Sequence, residues 1–368
     1  MRYLRELKEL EGVRVLVRLD LNVPVVDGVV VEDFRIRKIL PTIDFLQKRK
    51  AKVILMSHIE VAGGNTDEKP SLSPVAKHLG KLGLKCIFVE NYKNVQKEIE
   101  NLSLDNVILL ENLRFYEGEK KNDKKFAKEL ASLGDIYVNE AFAVSHRVHA
   151  SVSAITEFIP SYAGLLFEQE IKHLSETFHP EHPFLFIIGG AKFETKLPLI
   201  EKFINIADKV FVGGALANNF FKESGKDIGK SLVSQDDFNL KRLLDNPKLM
   251  LPVDNITVDG SIYDVGPLSM DILEKEIKSA KYILWNGPLG AYEKGYKEST
   301  QKLAEMISEA TKTGAKSVLG GGDTLGAIDE LKLENEFTFV STGGGAMLEF
   351  LATGTLPGIE ALESHENI

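Results

Sequence analysis

A short apolar run, a turn and an amphipathic helical stretch recur in that order along almost the whole chain. No other feature of the sequence constrains the fold as much. The strand-like runs cover residues 14–19, 52–56, 86–89, 107–110 and 136–138, and then 184–188, 209–212, 250–253, 282–285, 317–319 and 338–340. They are apolar at nearly every position instead of alternately, so each is expected to be buried on both faces. Strands of that kind belong to parallel sheets covered by helices on either side. Helical patterns such as 124–133 and 300–311 separate them, and right-handed crossovers then give a doubly wound, Rossmann-like α/β fold.

At 368 residues the chain exceeds a single compact core, so two such sheets are expected, each in its own domain. Prolines at 160, 180 and 183 bracket one helical stretch, 163–177, which carries Leu165, Leu166, Phe167, Ile171 and Leu174 at helical spacing. That stretch is expected to join the domains as a semi-rigid helix. There is no 18-residue apolar run and no basic-plus-apolar leader, so the expectation is a cytoplasmic protein without a membrane partner. Cys86 is the only cysteine, which leaves no disulfide framework and no thiolate zinc site. A net charge of −9 argues against a surface that coats nucleic acid. An anionic ligand must then be held by a local basic cluster.

Ligands of open α/β sheets bind beyond the carboxyl ends of the strands. In the first half those ends carry Asp20 and Asn22, Ser57 and His58, Glu111 to Arg114, Asn139 and Glu140, then His146 and Arg147, with Arg35 in the segment after the first strand. Arginine offers a planar fork for carboxylate or phosphate, so Arg35, Arg114 and Arg147 suit a small, multiply negative substrate. Solvated or paired surface arginines are the plainer alternative.

In the second half the strand ends are glycine-rich: Gly189-Gly190-Ala191-Lys192, Gly213-Gly214, Asn286-Gly287-Pro288, Gly320-Gly321-Gly322-Asp323-Thr324 and Thr342-Gly343-Gly344-Gly345. Backbone exposed in this way suits a nucleotide. Gly343 to Gly345 sit between an apolar run and a helix start, where backbone N–H groups and the helix dipole favour a phosphoryl group; a plain tight turn is the alternative. Lys192 and Lys196, four apart, would place two ammonium groups near the same phosphates, or else be surface lysines. Asp323 suits magnesium, which takes one or two carboxylates plus phosphate oxygens, although Asp323 or Thr324 could also cap a helix. Neither G-x-x-x-x-G-K-[ST] nor a G-x-G-x-x-G after a strand occurs, so a nucleotide site must be assembled from several strand ends.

The runs R-L-D-L-N-V-P (18–24), L-E-N-L-R-F (110–115), G-G-A-K (189–192), W-N-G-P (285–288), G-G-G-D-T (320–324) and S-T-G-G-G-A (341–346) together resemble phosphoglycerate kinases, in the family's order. The resemblance implies a monomeric, hinge-bending glycolytic kinase that moves a phosphoryl group between 1,3-bisphosphoglycerate and ADP, with Mg2+ accompanying ATP or ADP. It implies a phosphoglycerate-binding domain at 1–162, a linking helix at 163–178, a nucleotide-binding domain at 179–350, and a segment, 351–368, that returns to the first domain. Asp20, Asn22, Arg35, His58, Arg114 and Arg147 match the family's acid-binding set. Lys192, Lys196, Asn286, Thr324 and the Gly321-Gly322 backbone match the phosphate side of the nucleotide, Glu293 the ribose contact, Gly213 and Gly214 the adenine, and Asp323 the metal. Arg35, Lys192, Gly344 and Gly345 would surround the transferring group. Where the family usually reads S-H-L-G-R-P, this chain has S-H-I-E-V-A, so Val61 replaces an arginine that grips the substrate phosphate. One charge-assisted hydrogen bond contributes about 1.5–3 kcal/mol, enough to move affinity by one to two orders of magnitude. The alternative is therefore a nucleotide-binding relative with lost or altered acid specificity.

Overall fold

The computed structural model describes residues 1–60, 70–236 and 238–365. The chain divides into two compact units, Met1–Ile171 with Thr355–Ile368, and Lys172–Gly354. Each is built on one six-stranded, all-parallel sheet flanked by helices.

In the first unit the strands are β1 (Arg14–Arg18), β2 (Lys52–Met56), β3 (Lys85–Val89), β4 (Asn106–Leu110), β5 (Ile136–Asn139) and β6 (Ser161–Ala163). Their spatial order is β3-β4-β2-β1-β5-β6. Val15, Leu16 and Val17 are all buried in spite of pointing alternately to opposite faces, as expected for a strand covered on both sides. Helix α1 (Phe34–Lys48) buries Ile36, Ile39, Ile43 and Leu46, a single stripe at helical spacing, against the same core. Cys86 is half-buried, and burial pushes its thiol up to about 12, in keeping with a structural role.

In the second unit β7 (Phe184–Ile188), β8 (Lys209–Val212), β9 (Leu249–Met250), β10 (Tyr282–Asn286), β11 (Lys316–Gly320) and β12 (Phe339–Val340) stand in the order β9-β8-β7-β10-β11-β12. Every residue of β7 and β10 is buried, which makes this pair the centre of the unit.

Both orders reverse once. In the first unit the chain leaves β1 towards β2 and later returns on the other side at β5; in the second it leaves β7 towards β8 and returns at β10. In sheets of this topology the loops that follow the strands on either side of the reversal diverge, and ligands bind in the crevice this leaves at the carboxyl edge.

Three pairings were not anticipated. Residues 161–163 form strand β6, so the helix that follows, α2 (Leu165–Glu176), begins later than position 163. Two antiparallel hairpins, Val25–Val26 with Val29–Val30 and Asn255–Val258 with Ser261–Val265, lie outside the main sheets. The run expected at 250–253 is a strand only over Leu249–Met250. Helix α7 (Pro357–Ser364) packs within the first unit, where the N–H of Gly358 donates to the Ser145 carbonyl at 2.8 Å. No helix among the described residues is long and apolar enough to cross a membrane.

Candidate active site

The carboxyl edge of the first unit's sheet carries a connected set of polar side chains. Asp20 lies two residues beyond β1, and its carboxylate receives the Arg35 guanidinium at 2.8 Å; Arg35 lies in the first turn of α1. Arg35 also donates to the Asn22 carbonyl at 3.4 Å. The Asn22 amide oxygen accepts the backbone N–H of Glu60 at 2.9 Å, and Glu60 in turn pairs with Arg114. Asp20, Asn22, Arg35 and Arg114 are thus joined edge to edge by hydrogen bonds.

His58 and Arg147 complete the set electrostatically. The His58 ring is held well below its ordinary pKa, first by burial and then by the charges of Arg18, Arg114 and Arg147. Burial likewise pulls the Arg114 guanidinium down, opposed by Glu60 and reinforced by Arg147 and Arg18. Arg147 is exposed and its Nε donates to His146 Nε2 at 3.3 Å. Two donors of Arg114, Nε and Nη2, are buried without a hydrogen-bond partner among the described residues. Buried donors left in that state point to a ligand. Val61 lies outside the described residues.

Three neighbours went unrecognised in the sequence. Arg18 is fully buried and reaches His58, and Glu119 is fully buried beneath it; neither stands beside a partner in the sequence. His149 is pushed down to about 4 by burial and by Arg114, Arg147 and Arg18. It could have been noticed as the next histidine after His146-Arg147. Glu140 follows a strand end beside this group, yet it is fully enclosed and accepts the Leu166 and Phe167 N–H groups at the start of α2.

In the second unit the loops after β7 and β10 are laced together. The Gly189 N–H donates to the Asn286 carbonyl at 2.9 Å and the Gly190 N–H to the Pro288 carbonyl at 2.8 Å. A Cβ on Gly189 would overlap the Pro288 carbonyl oxygen, so glycine here serves close approach of two loops as well as an open crevice. Helix α3 (Phe193–Phe203) follows, with Lys192 as its N-cap. The two lysines are presented differently: Lys192 is exposed, whereas Lys196 is buried and turns back to donate to the Gly189 carbonyl at 2.5 Å. Burial brings the Lys196 ammonium down to about 8, with Asp323 opposing and Lys192 adding to the shift.

Gly213 caps α4 (Gly214–Glu223), and the N–H groups of Gly213 and Gly214 bond the Ile188 and Leu289 carbonyls. The Asn286 amide donates to the Gly320 carbonyl at 2.9 Å, and Thr324 Oγ1 accepts the Gly287 N–H at 3.0 Å. Helix α5 (Gly322–Glu330) is N-capped by Gly321 with no side-chain cap, so neither Asp323 nor Thr324 fills that role. Asp323 is exposed in the first turn. Glu293 is exposed in the short turn Tyr292–Lys294. At the start of α6 (Gly345–Thr353) the N–H of Gly343 is taken by Ser341 Oγ at 3.0 Å, while Gly344 adopts φ 52° and carries the backbone into the helix. Of the three glycine donors, Gly344 and Gly345 stand at the helix N-terminus. Among the described residues no cluster of three or more His, Cys, Asp or Glu could cage a metal.

Residues 4–354 match the family model described as phosphoglycerate kinase. Among curated proteins, the phosphoglycerate kinase of Dictyoglomus turgidum is 42% identical, with 97% of each chain covered, and that of Fervidobacterium nodosum is 41% identical, with 96% covered. Among solved structures, the phosphoglycerate kinase of Coxiella burnetii superimposes with a TM-score of 0.82 at 36% identity over 99% of both chains. The enzyme from Pyrococcus horikoshii OT3 does so with 0.85 at 28% identity over the whole of both.

Proposed function

The chain belongs to the phosphoglycerate kinase family, and from that premise we propose how its own residues divide the reaction. The activity is reversible phosphoryl transfer between 1,3-bisphosphoglycerate with ADP and 3-phosphoglycerate with ATP, and nothing favours the alternative of a non-catalytic relative. The first unit takes the acid: Arg114, His58 and Arg147 hold its anionic groups, Asp20 and Asn22 orient it, and Arg35 stands by the carboxyl that gains or loses the phosphoryl group. The observation that carries this half is the Nε–Nη2 edge of Arg114, buried amid other cations and without a hydrogen-bond partner among the described residues.

The second unit takes the nucleotide. Lys192 and Lys196 hold its phosphates, Asn286 and Thr324 shape the floor with the Gly321-Gly322 turn, Glu293 meets the ribose, and Gly213 and Gly214 flank the base. Gly344 and Gly345 aim N–H groups at the phosphoryl oxygens. Phosphoryl transfer asks little covalent chemistry of a protein; it needs in-line positioning and positive charge around the equatorial oxygens. Arg35, Lys192 and the α6 N-terminus would supply that charge. A lone exposed carboxylate, Asp323, suits magnesium shared with nucleotide oxygens better than an all-protein cage, and the bound ion would neutralise charge on those oxygens. Because acid and nucleotide belong to different units, transfer needs a closed state that brings them in line and excludes water. We extend the proposal to a cytoplasmic monomer.

Steady-state transfer from ATP to 3-phosphoglycerate tests the assignment. Native turnover is expected, with kcat lower by about a hundredfold in Arg35→Met and a magnesium requirement displaced to higher concentration in Asp323→Asn. An inactive native chain, or an Asp323→Asn enzyme with the native magnesium dependence, would overturn it.

A further inference from the structure

A carboxylate stands inside the acid half-site, where the ligand itself is negative. Glu60 follows β2, and its main chain is fixed there because its N–H donates to Asn22 Oδ1 at 2.9 Å. Its side chain turns to Arg114, with Oε1 against Nη1. The two partners differ in freedom. The Arg114 side chain is 6% exposed and Glu60 is 44% exposed, so Arg114 is held by its surroundings while Glu60 has water on one side.

The guanidinium is consequently divided. Nη1 is neutralised by Glu60, and Nε and Nη2 are buried with no hydrogen-bond partner among the described residues. Those two nitrogens form one edge of the planar fork, a match for two oxygens of a carboxylate or phosphate. Leaving them unsatisfied is costly, so the edge is built for an anion. The other edge is already engaged.

We propose that Glu60 sets the anion affinity and preference of the acid site, confining the incoming group to the Nε–Nη2 edge of Arg114 and opposing its charge. This rests on the reading of Arg114 as a substrate-binding residue. Repulsion scales with ligand charge, so a dianion is opposed about twice as strongly as a monoanion at the same distance. Glu60 therefore tilts the site away from the most highly charged ligands. At an effective dielectric of about 40, between a protein surface and bulk water, a like charge about 6 Å from a monoanion changes affinity by about tenfold.

The test compares Glu60→Gln, which keeps shape and removes charge, and Glu60→Ala, which removes both, with the native enzyme. KM for 3-phosphoglycerate and competitive inhibition by sulfate and by acetate are measured at low ionic strength, with KM for ATP as the internal control. Both variants are expected to lower KM for 3-phosphoglycerate by about tenfold or more and to strengthen inhibition by sulfate more than by acetate, with KM for ATP unmoved. Values within twofold of native, or a raised KM in Glu60→Gln, would overturn the proposal. Arg114→Gln is run alongside. If it abolishes sulfate inhibition while the Glu60 variants change nothing, the acid-site reading stands and this inference falls. If it binds sulfate and 3-phosphoglycerate as the native enzyme does, the reading of Arg114 fails and this inference with it.

Discussion

Nη2 of Arg18 lies 3.3 Å from Nδ1 of His58, and both side chains are buried. A guanidinium can only donate, so Nδ1 must accept, the ring is neutral, and its one proton sits on Nε2. Arg18 is itself anchored: Nε donates to Ser151 Oγ at 2.8 Å and Nη1 to the Leu19 carbonyl, while Ser151 Oγ donates to Glu119 at 2.6 Å. If His58 holds the acid as proposed, the network acts on it only through that ring, and Arg18 is a positioning residue. At pH 7 the nitrogen spectrum of His58 is expected to show an unprotonated Nδ1 and a protonated Nε2. In Arg18→Met the His58 pKa should rise, because a neighbouring positive charge is gone. The same change leaves Glu119 buried without its cation and should cost about 3 kcal/mol. A protonated Nδ1 in the native enzyme would rule the arrangement out.

His149 gives the acid limb of the stability curve. Its folded pKa of about 4 lies below the ordinary histidine value, through burial and then through Arg114, Arg147 and Arg18. Between pH 6.5 and 4 the unfolded chain therefore binds the proton that the folded protein refuses. Stability from this source is complete above about 6.5 and is lost as pH falls through the window. His58 acts in the same direction. Urea midpoints measured from pH 7 down to 4.5 should fall more steeply for the native protein than for His149→Gln. Parallel curves would remove His149 from the account.

Lys196 is a buried cation that costs the fold stability. Its ammonium is buried, and burial brings the pKa to about 8. Below about 8 the folded state carries a charge that burial disfavours, and the penalty is relieved as pH rises between about 8 and 10.5, where the unfolded lysine still holds its proton. Lys196→Met should raise the urea midpoint at pH 7 by the equivalent of about 1–2 kcal/mol, after allowance for the lost bond to the Gly189 carbonyl. Activity should fall by about a hundredfold. A variant that is both less stable and fully active would contradict both halves.

The two sheets were legible because strands apolar on both faces have one outcome, burial between helices, and the strand ends then follow from topology. The hairpins have a sequence signal too. Asp27-Gly28 and Asp259-Gly260 sit at their turns with positive φ at both residues, the Asp-Gly signal of a two-residue hairpin. Strand β6 offered less, since Ser161, Tyr162 and Ala163 form too short a run to stand out. The buried Arg18–Glu119 pair could not be read at all, because its partners come from distant segments and each alone looks like a surface charge. At the strand ends, sequence pattern located the edge but not the orientation of each side chain. Lys192 and Lys196 share a motif, yet one is exposed and the other is enclosed.

Glu140 is the clearest case of a strand-end residue turned to another task. Its carboxylate accepts the N–H groups of Leu166 at 2.9 Å and Phe167 at 3.0 Å, and Thr42 Oγ1 donates to it as well. These are first-turn donors of α2 with no partner inside the helix, and a negative charge there also suits the helix dipole. Burial raises the Glu140 pKa, and the three donors work against that rise by favouring the ionised form. Glu140→Gln must point an amide NH2 at one of these donors and should cost about 2–3 kcal/mol. Gly164 makes room for the same carboxylate, since a Cβ there would run into Oε2, so Gly164→Ala should also destabilise. Because both changes break one arrangement, their costs should fall short of additivity in a double-mutant cycle by about 1 kcal/mol or more. Strict additivity would mean that Glu140 and Gly164 act on α2 independently.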